Sequence, residues 1–179
     1  KNICGRCHFC DVPETLEHIA VDCNAPGQEL VWSLTQQLCE KYNCWPKLSW
    51  GLILGCNLVR FKSDKGIILP EKSRLFAVLV SWAWHLIWNL RQTRMIENPG
   101  VLPTNKEIHN RWLKAVNGVL QRDCLLTNKI RFGPLAFNTQ LVLKTWSGLL
   151  MDEDSLPVDW THEGVLVGMR PIIDRHGIG

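Results

Sequence analysis

Glu71–Ile96, EKSRLFAVLVSWAWHLIWNLRQTRMI, decides how this 179-residue chain is built. From Leu75 to Leu90 the segment is apolar on nearly every side, interrupted only by Ser81, His85 and Asn89. A helix that is apolar all round has to be covered all round, so it belongs at the centre of a bundle. It is too short and too interrupted to cross a bilayer, which takes about 20 mainly apolar residues. Trp82, Trp84 and Trp88 crowd onto it among Leu79, Val80, Leu86 and Ile87. Aromatic side chains that stack on bases normally sit among basic residues on strands or loops, so these three are expected to pack in the core. His85 is expected as a hydrogen-bonded core or groove histidine.

Working outward, Gln28–Tyr42 reads as a helix with Leu30, Leu34 and Leu38 on one side and Val31 and Trp32 adjoining. Residues 43–70 carry Pro46, Gly51, Gly55 and Gly66 around the apolar run Leu52-Ile53-Leu54 and read as a loop-rich connector with one strand-like turn. Asn98-Pro99-Gly100 breaks the central helix. Thr104 and Glu107 then have the spacing of a capping box. The helix that follows places Ile108, Trp112, Ala115, Val116 and Val119 on one face. Its outer face offers Asn110, Lys114, Asn117 and Gln121, with Arg111 and Arg122 at the flanks. Leu125–Gly133 reads as a turn. Pro134 suits the first turn of a last helix carrying Leu141, Val142, Thr145, Trp146, Leu149 and Leu150. Asp152-Glu153-Asp154 reads as its solvated end. The tail looks extended, with Trp160 packing onto the bundle and Gly177–Gly179 fraying.

The N-terminal residues carry the chemistry: Cys7-His-Phe-Cys10, Glu14-Thr-Leu-Glu-His18, then Cys23, or C-x2-C-x7-H-x4-C. A C-x2-C pair presents two thiolates from one tight turn, and His18 and Cys23 follow on a short helical stretch that Pro26-Gly27 ends. Four N/S donors with no carboxylate and no open position form the pattern of a structural, tetrahedral zinc site. The expected ligands are Cys7, Cys10, His18 and Cys23. Cys4 and His8 are alternates, because Cys4-x2-Cys7 is a second valid pair. Such a site contributes on the order of 10 kcal/mol to the folding of a module too small for its own core. The expected architecture is therefore all-α, a bundle of about four main helices with a zinc-bound turn-plus-helix at its N-terminus. It divides into a zinc module (1–27), a bundle (28–150) and an extended tail (151–179).

The string from Cys7 to Cys23, with Glu14, Thr15 and His18 in an "ET-x-x-H" arrangement and Trp32 following, resembles the zinc-binding region near the C-terminus of non-LTR retrotransposon reverse transcriptases. A weaker likeness to the C-terminal tails of fungal elements of this kind runs through Leu86-Ile-Trp88-Asn-Leu-Arg91, Trp112, Thr145-Trp146 and Leu156-Pro157-Val-Asp159-Trp160. The resemblance implies an accessory module with Zn2+ as its cofactor, a polymerase domain upstream in the same polyprotein, and RNA or target DNA as partner. No Y/F-x-D-D polymerase motif is present in this chain. The x7 spacing to His18 is longer than that of the compact retroviral knuckle, C-x2-C-x4-H-x4-C, and puts an added turn between the two ligand pairs.

Composition sets bounds. Hydrophobic content of 46% and charged content of 21% fit a globular protein and argue against disorder. A net charge of +3 permits nucleic-acid contact without demanding it. The candidate phosphate contacts are Lys106, Arg111, Lys114, Arg122, Lys129 and Arg131, along one helix and the turn after it. Cys39, Cys44, Cys56 and Cys124 are scattered among apolar residues, as buried free thiols in a reducing, intracellular compartment (nuclear or cytoplasmic) would be. A chain opening on Lys1 is expected to be a piece of a longer protein.

No enzyme activity is expected of this segment. Asp64, Glu71, Glu97, Glu107 and Asp123 are isolated carboxylates on helix surfaces or caps, unlike the converging set a metal-dependent nuclease needs. Gly51-x3-Gly55 lacks the Lys-Ser/Thr of a phosphate loop. No cysteine sits in an electropositive strand-to-helix elbow. The class-different alternative is a zinc-stabilised protein-interaction module, a host protein derived from such an element, that binds no nucleic acid.

Overall fold

The computed structural model describes residues 5–97 and 101–169. The expected break at Asn98-Pro99-Gly100, the fraying of Gly177–Gly179 and the alternate ligand Cys4 lie outside them. The fold is all-α; among the described residues, β-structure is limited to three isolated bridges.

The first element is a five-residue π-helical turn, His18–Asp22. Helix α1 (Gln28–Glu40) starts at Gly27, whose φ of 108° only glycine adopts without strain. A Cβ there would also stand 3.0 Å from Leu90 and 3.2 Å from Ile108, so this turn needs the missing side chain twice over. The connector 43–70 departs from the expected coil. Ser49 Oγ accepts the amide of Leu52, and that cap winds the apolar run into a short helix, α2 (Trp50–Leu54), followed by a 3-10 turn at Cys56–Leu58. The strand-like turn is present, closed by a bridge between Lys62 and Ile68.

Helix α3 (Pro70–Gln92) has proline in its first turn and runs on into a π-helical turn at Thr93–Glu97. It packs against α1 and against two later helices, α4 (Asn105–Leu126) and α6 (Thr139–Trp146); α1 also meets α4, and α4 meets α6. α3 is thus the central rod of a four-helix cluster. It is not covered all round, however. Ser81, His85 and Asn89 recur every four residues and form a narrow exposed stripe. His85 is a surface residue, paired with the Asn89 amide at 3.0 Å, and not a core histidine. Trp82 on one side of the stripe, and Trp84 and Trp88 on the other, are half-buried and packed against the core.

α4 opens with the capping box the sequence announces. Thr104 Oγ1 accepts the Glu107 amide, and Glu107 Oε2 accepts the Thr104 amide at 2.8 Å. The turn after α4 holds one helical turn, α5 (Lys129–Phe132), because Asn128 caps it. Pro134 does not start the last helix; it sits in a 3-10 turn at Gly133–Leu135. Asn138 is the N-cap instead, accepting the Leu141 amide, and α6 ends at Trp146 before Gly148 turns left-handed. Glu153 is more than a solvated end: its carboxylate accepts from Ser147 Oγ and from the amides of Gly148 and Leu150. The tail returns over the bundle with Trp160, Val165 and Val167 buried, and the Val167 amide donates to Asn117 Oδ1 on α4.

Polar groups taken into the core are matched there. Trp112 Nε1 donates to Thr35 Oγ1 at 3.0 Å, and Trp146 Nε1 donates to Asp123 Oδ2 at 2.8 Å. Asp123, read from sequence as a surface carboxylate, is buried and holds Arg74 through two bonds of 2.6 and 2.7 Å. It faces inward because α4 has its core side there, and the indole and guanidinium together satisfy both of its oxygens.

Candidate metal centre

Residues 5–14 fold into a small knuckle. The amide of Cys7 donates to Val12 O, that of Asp11 donates to Cys7 O, and a bridge joins Arg6 to Pro13. Asp11 takes a φ of 49°, a left-handed turn that aspartate tolerates, and this brings Cys10 back beside Cys7. Thr15 Oγ1 then accepts the His18 amide at 3.1 Å and sets the π-helical turn in place. That turn is held from the bundle side, where Ala20 O accepts from Trp32 Nε1 (2.7 Å) and from Gln28 Nε2 (2.9 Å). Gln28 Nε2 also donates to Val21 O at 3.1 Å, so Trp32 and Gln28 together occupy two of the carbonyls that a helix end leaves without partners.

The donor atoms of Cys7, Cys10, His18 and Cys23 all lie within 4.8 Å of one another and could hold a metal ion. Cys7 Sγ and Cys23 Sγ are 3.6 Å apart, far beyond disulfide contact, and all three cysteines are free. Backbone amides point at the sulfurs: Asn24 N donates to Cys10 Sγ at 3.3 Å and Ala25 N to Cys23 Sγ at 3.4 Å. His18 is 7% exposed, and its buried Nε2 has no hydrogen-bond partner. A buried imidazole nitrogen left open beside three sulfurs is costly in a protein without a ligand for it, and a metal ion is such a ligand.

The thiols are pulled in opposite directions. Burial works to raise Cys7, but the imidazole of His18, the amides of Phe9 and Cys10 and the neighbouring Cys23 bring it down to about 7. Cys23 is pushed up to about 12, by burial first and also by the negative charge of Cys7 and Cys10. Three thiolates cannot share this space without a compensating cation.

The alternate His8 is exposed and stands outside the converging group. Among the described residues, Cys39, Cys44, Cys56 and Cys124 are buried and free elsewhere. Burial raises Cys124 to about 11, which keeps it a neutral thiol and a poor nucleophile.

How the knuckle is fastened to the bundle was not legible in the sequence. Glu14 meets Arg91, near the end of α3, through two bonds of 2.6 and 3.1 Å, with both side chains largely buried. The guanidinium of Arg91 also lies 5.4 Å from the Trp88 ring, and that of Arg94 lies 4.9 Å from the Phe9 ring. The only sequence signal was two glutamates, Glu14 and Glu17, in the ligand segment and a pair of arginines closing an apolar helix. Nothing in their 77-residue separation ties them together.

Of the candidate phosphate contacts, Arg111, Lys114 and Arg122 stand exposed along α4, Lys129 and Arg131 stand exposed on α5, and Lys106 is half-buried. Arg122 lies 5.1 Å over Trp82 and Arg131 lies 5.4 Å over Phe132. Of the two carboxylates of α4, Asp123 is turned inward to Arg74, while Glu107 is exposed, accepts from Thr104 and stands near enough to Arg111 for their charges to interact. No helix among the described residues is long and apolar enough to cross a membrane. In comparisons with protein-family models, with curated proteins and with solved structures, nothing matches this chain.

Proposed function

We propose that the Cys3His cluster is a structural zinc site and that the chain is the C-terminal zinc-binding part of a non-LTR retrotransposon protein, serving as an accessory nucleic-acid-binding module without catalysis of its own. The observation that carries the metal is the donor set: three sulfurs and one orphaned imidazole nitrogen, all within 4.8 Å, with no carboxylate among them. Zinc–sulfur bonds of about 2.3 Å in a tetrahedron put sulfurs about 3.8 Å apart, and Cys7 and Cys23 stand at 3.6 Å. Bound zinc supplies charge compensation for the thiolates and a rigid crosslink; with four protein donors it offers no position to a substrate. The N–H donors of Asn24 and Ala25 delocalise the sulfur charge and hold the ligands in place.

The nucleic-acid part rests on the exposed row Arg111, Lys114 and Arg122, continued by Lys129 and Arg131, together with the ligand spacing shared with that family. The upstream polymerase domain would bring the catalysis. A second reading, a zinc-stabilised protein-interaction module, is favoured by the exposed side chains of Leu54, Leu58, Ile67 and Ile68, which are apolar and concentrated in one connector.

Metal analysis of the purified, reduced protein tests the first claim: one zinc per chain is expected, and substoichiometric metal that Cys23→Ser does not lower further would remove it. Electrophoretic retardation with RNA and DNA at two salt concentrations separates the two functions. Affinity that falls steeply with salt supports the nucleic-acid module, while no retardation even at low salt leaves the protein-interaction reading.

A further inference from the structure

Where the π-helical turn after α3 meets the start of α4 there is a cavity of about 260 Å³, lined among others by Thr93, Arg94, Pro103, Glu107 and Arg111. At about 30 Å³ for each water of the liquid, a phosphate group and its shell fit. Arg94 is only 8% exposed, and its Nε has no hydrogen-bond partner. It belongs to none of the ion pairs among the described residues. Glu14, the carboxylate whose titration it influences, is already gripped through both oxygens by Arg91. Phe9 covers the guanidinium on one side. On the side of the knuckle a second cavity of about 20 Å³ borders Arg94, room for one water, which can serve a donor but cannot neutralise a charge.

A guanidinium that is nine-tenths buried with no counter-ion is expensive unless something brings one. Arg111 stands on the same cavity from α4. The one lining carboxylate, Glu107, accepts from the amide and hydroxyl of Thr104, and its charge acts on Arg111 and leaves Arg94 without an ion pair. The cavity also lies at the N-terminal, positive end of the 22-residue α4.

We propose that this cavity is a phosphate site, in which Arg94 and Arg111 hold the oxygens of one phosphate group, and that the phosphate is a backbone phosphodiester of nucleic acid lying along α4 toward Lys114 and Arg122. Only the source of the phosphate rests on the reading given under Proposed function; the site itself rests on Arg94.

The test uses the full, zinc-loaded chain and follows the arginine Nε–Hε resonances by NMR. Titration with inorganic phosphate is expected to shift Arg94 and Arg111 saturably, and a single-stranded oligonucleotide is expected to shift the same two. Arg94→Gln and the milder, surface Arg111→Gln are each expected to weaken the oligonucleotide about three- to tenfold and to lower the slope of log affinity against log salt by about 1. If phosphate shifts both arginines while no oligonucleotide binds, the site stands and its nucleic-acid source is overturned, along with that reading of function. If the oligonucleotide binds with its full salt slope in both variants and phosphate leaves Arg94 unmoved, the site is overturned and the functional reading survives.

Discussion

The knuckle at 5–25 and the bundle behind it are held together by different physics. The bundle buries Trp112, Trp146, Phe76 and nineteen Val, Leu and Ile side chains, and the indoles of both tryptophans find partners within the protein. The knuckle's own buried cluster is Cys7, Cys23 and Ala25, with Cys10 against it. That is far too little apolar area to order a segment of that length. Its one buried nitrogen without a partner, His18 Nε2, belongs to the imidazole that converges with the sulfurs. Side-chain packing and internal pairing therefore hold most of the bundle, with Arg94 Nε the exception, while the knuckle has little beyond its four converging donors, which could hold an ion.

With zinc bound as proposed, its removal gives the largest expected effect. Chelation, or Cys7→Ser, should withdraw on the order of 10 kcal/mol from the knuckle. Amide exchange at residues 7–23 should become fast while α3 and α4 stay protected. Loss of protection throughout the bundle would erase the distinction between the two regions.

Next comes the buried pair inside the bundle. Asp123→Ala strips partners from both Arg74 and Trp146 and should cost about 3–5 kcal/mol in urea unfolding without changing metal content. A metal-content change in this variant would show that the two regions are not independent.

The seam is weaker. Glu14→Gln should cost about 1–2 kcal/mol and speed exchange in the knuckle more than in the bundle. Arg91 beside Glu14 holds its carboxyl below the ordinary value of 4.5, so the ion pair stabilises the fold fully above that pH. Its contribution is lost as pH falls through the lower, folded value. The stability gap between wild type and Glu14→Gln should therefore be flat at neutral pH and close only below about 4.5. A gap that closes instead on raising the pH would contradict this pairing.

The smallest effect belongs to a helix cap. Asn138→Ala removes the acceptor for the Leu141 amide and should cost about 1 kcal/mol, read as a shifted urea midpoint with the knuckle untouched.

Much of the frame was legible because it is written in short spacings. Thr104 and Glu107 are three residues apart and form their capping box. The four ligand candidates lie within one 17-residue stretch and converge. The misreadings share a cause. Leu52-Ile53-Leu54 is too short for periodicity to separate strand from helix, and the Ser49 cap decided it. Pro134 and Asn138 both announce a helix start, and the side-chain cap prevailed over the fixed φ of proline. His85, expected as a hydrogen-bonded core or groove histidine, has its hydrogen bond to Asn89 but lies exposed, because the stripe Ser81–His85–Asn89 is a single residue wide. A helix so largely apolar still turns that one line to water.

By itself, the sequence determined the all-α class, the central place of Leu75–Leu90 and the identity of the residues that could hold a metal, since each depends on the order of neighbours along the chain. Tertiary structure alone decided that Asp123 is an interior ion, that Glu14 grips Arg91 from 77 residues away, and that Arg94 is shut in without an ion pair of its own. Burial and long-range pairing arise only when separate helices close on one another, and the electrostatic cost of a charge is set by that closure.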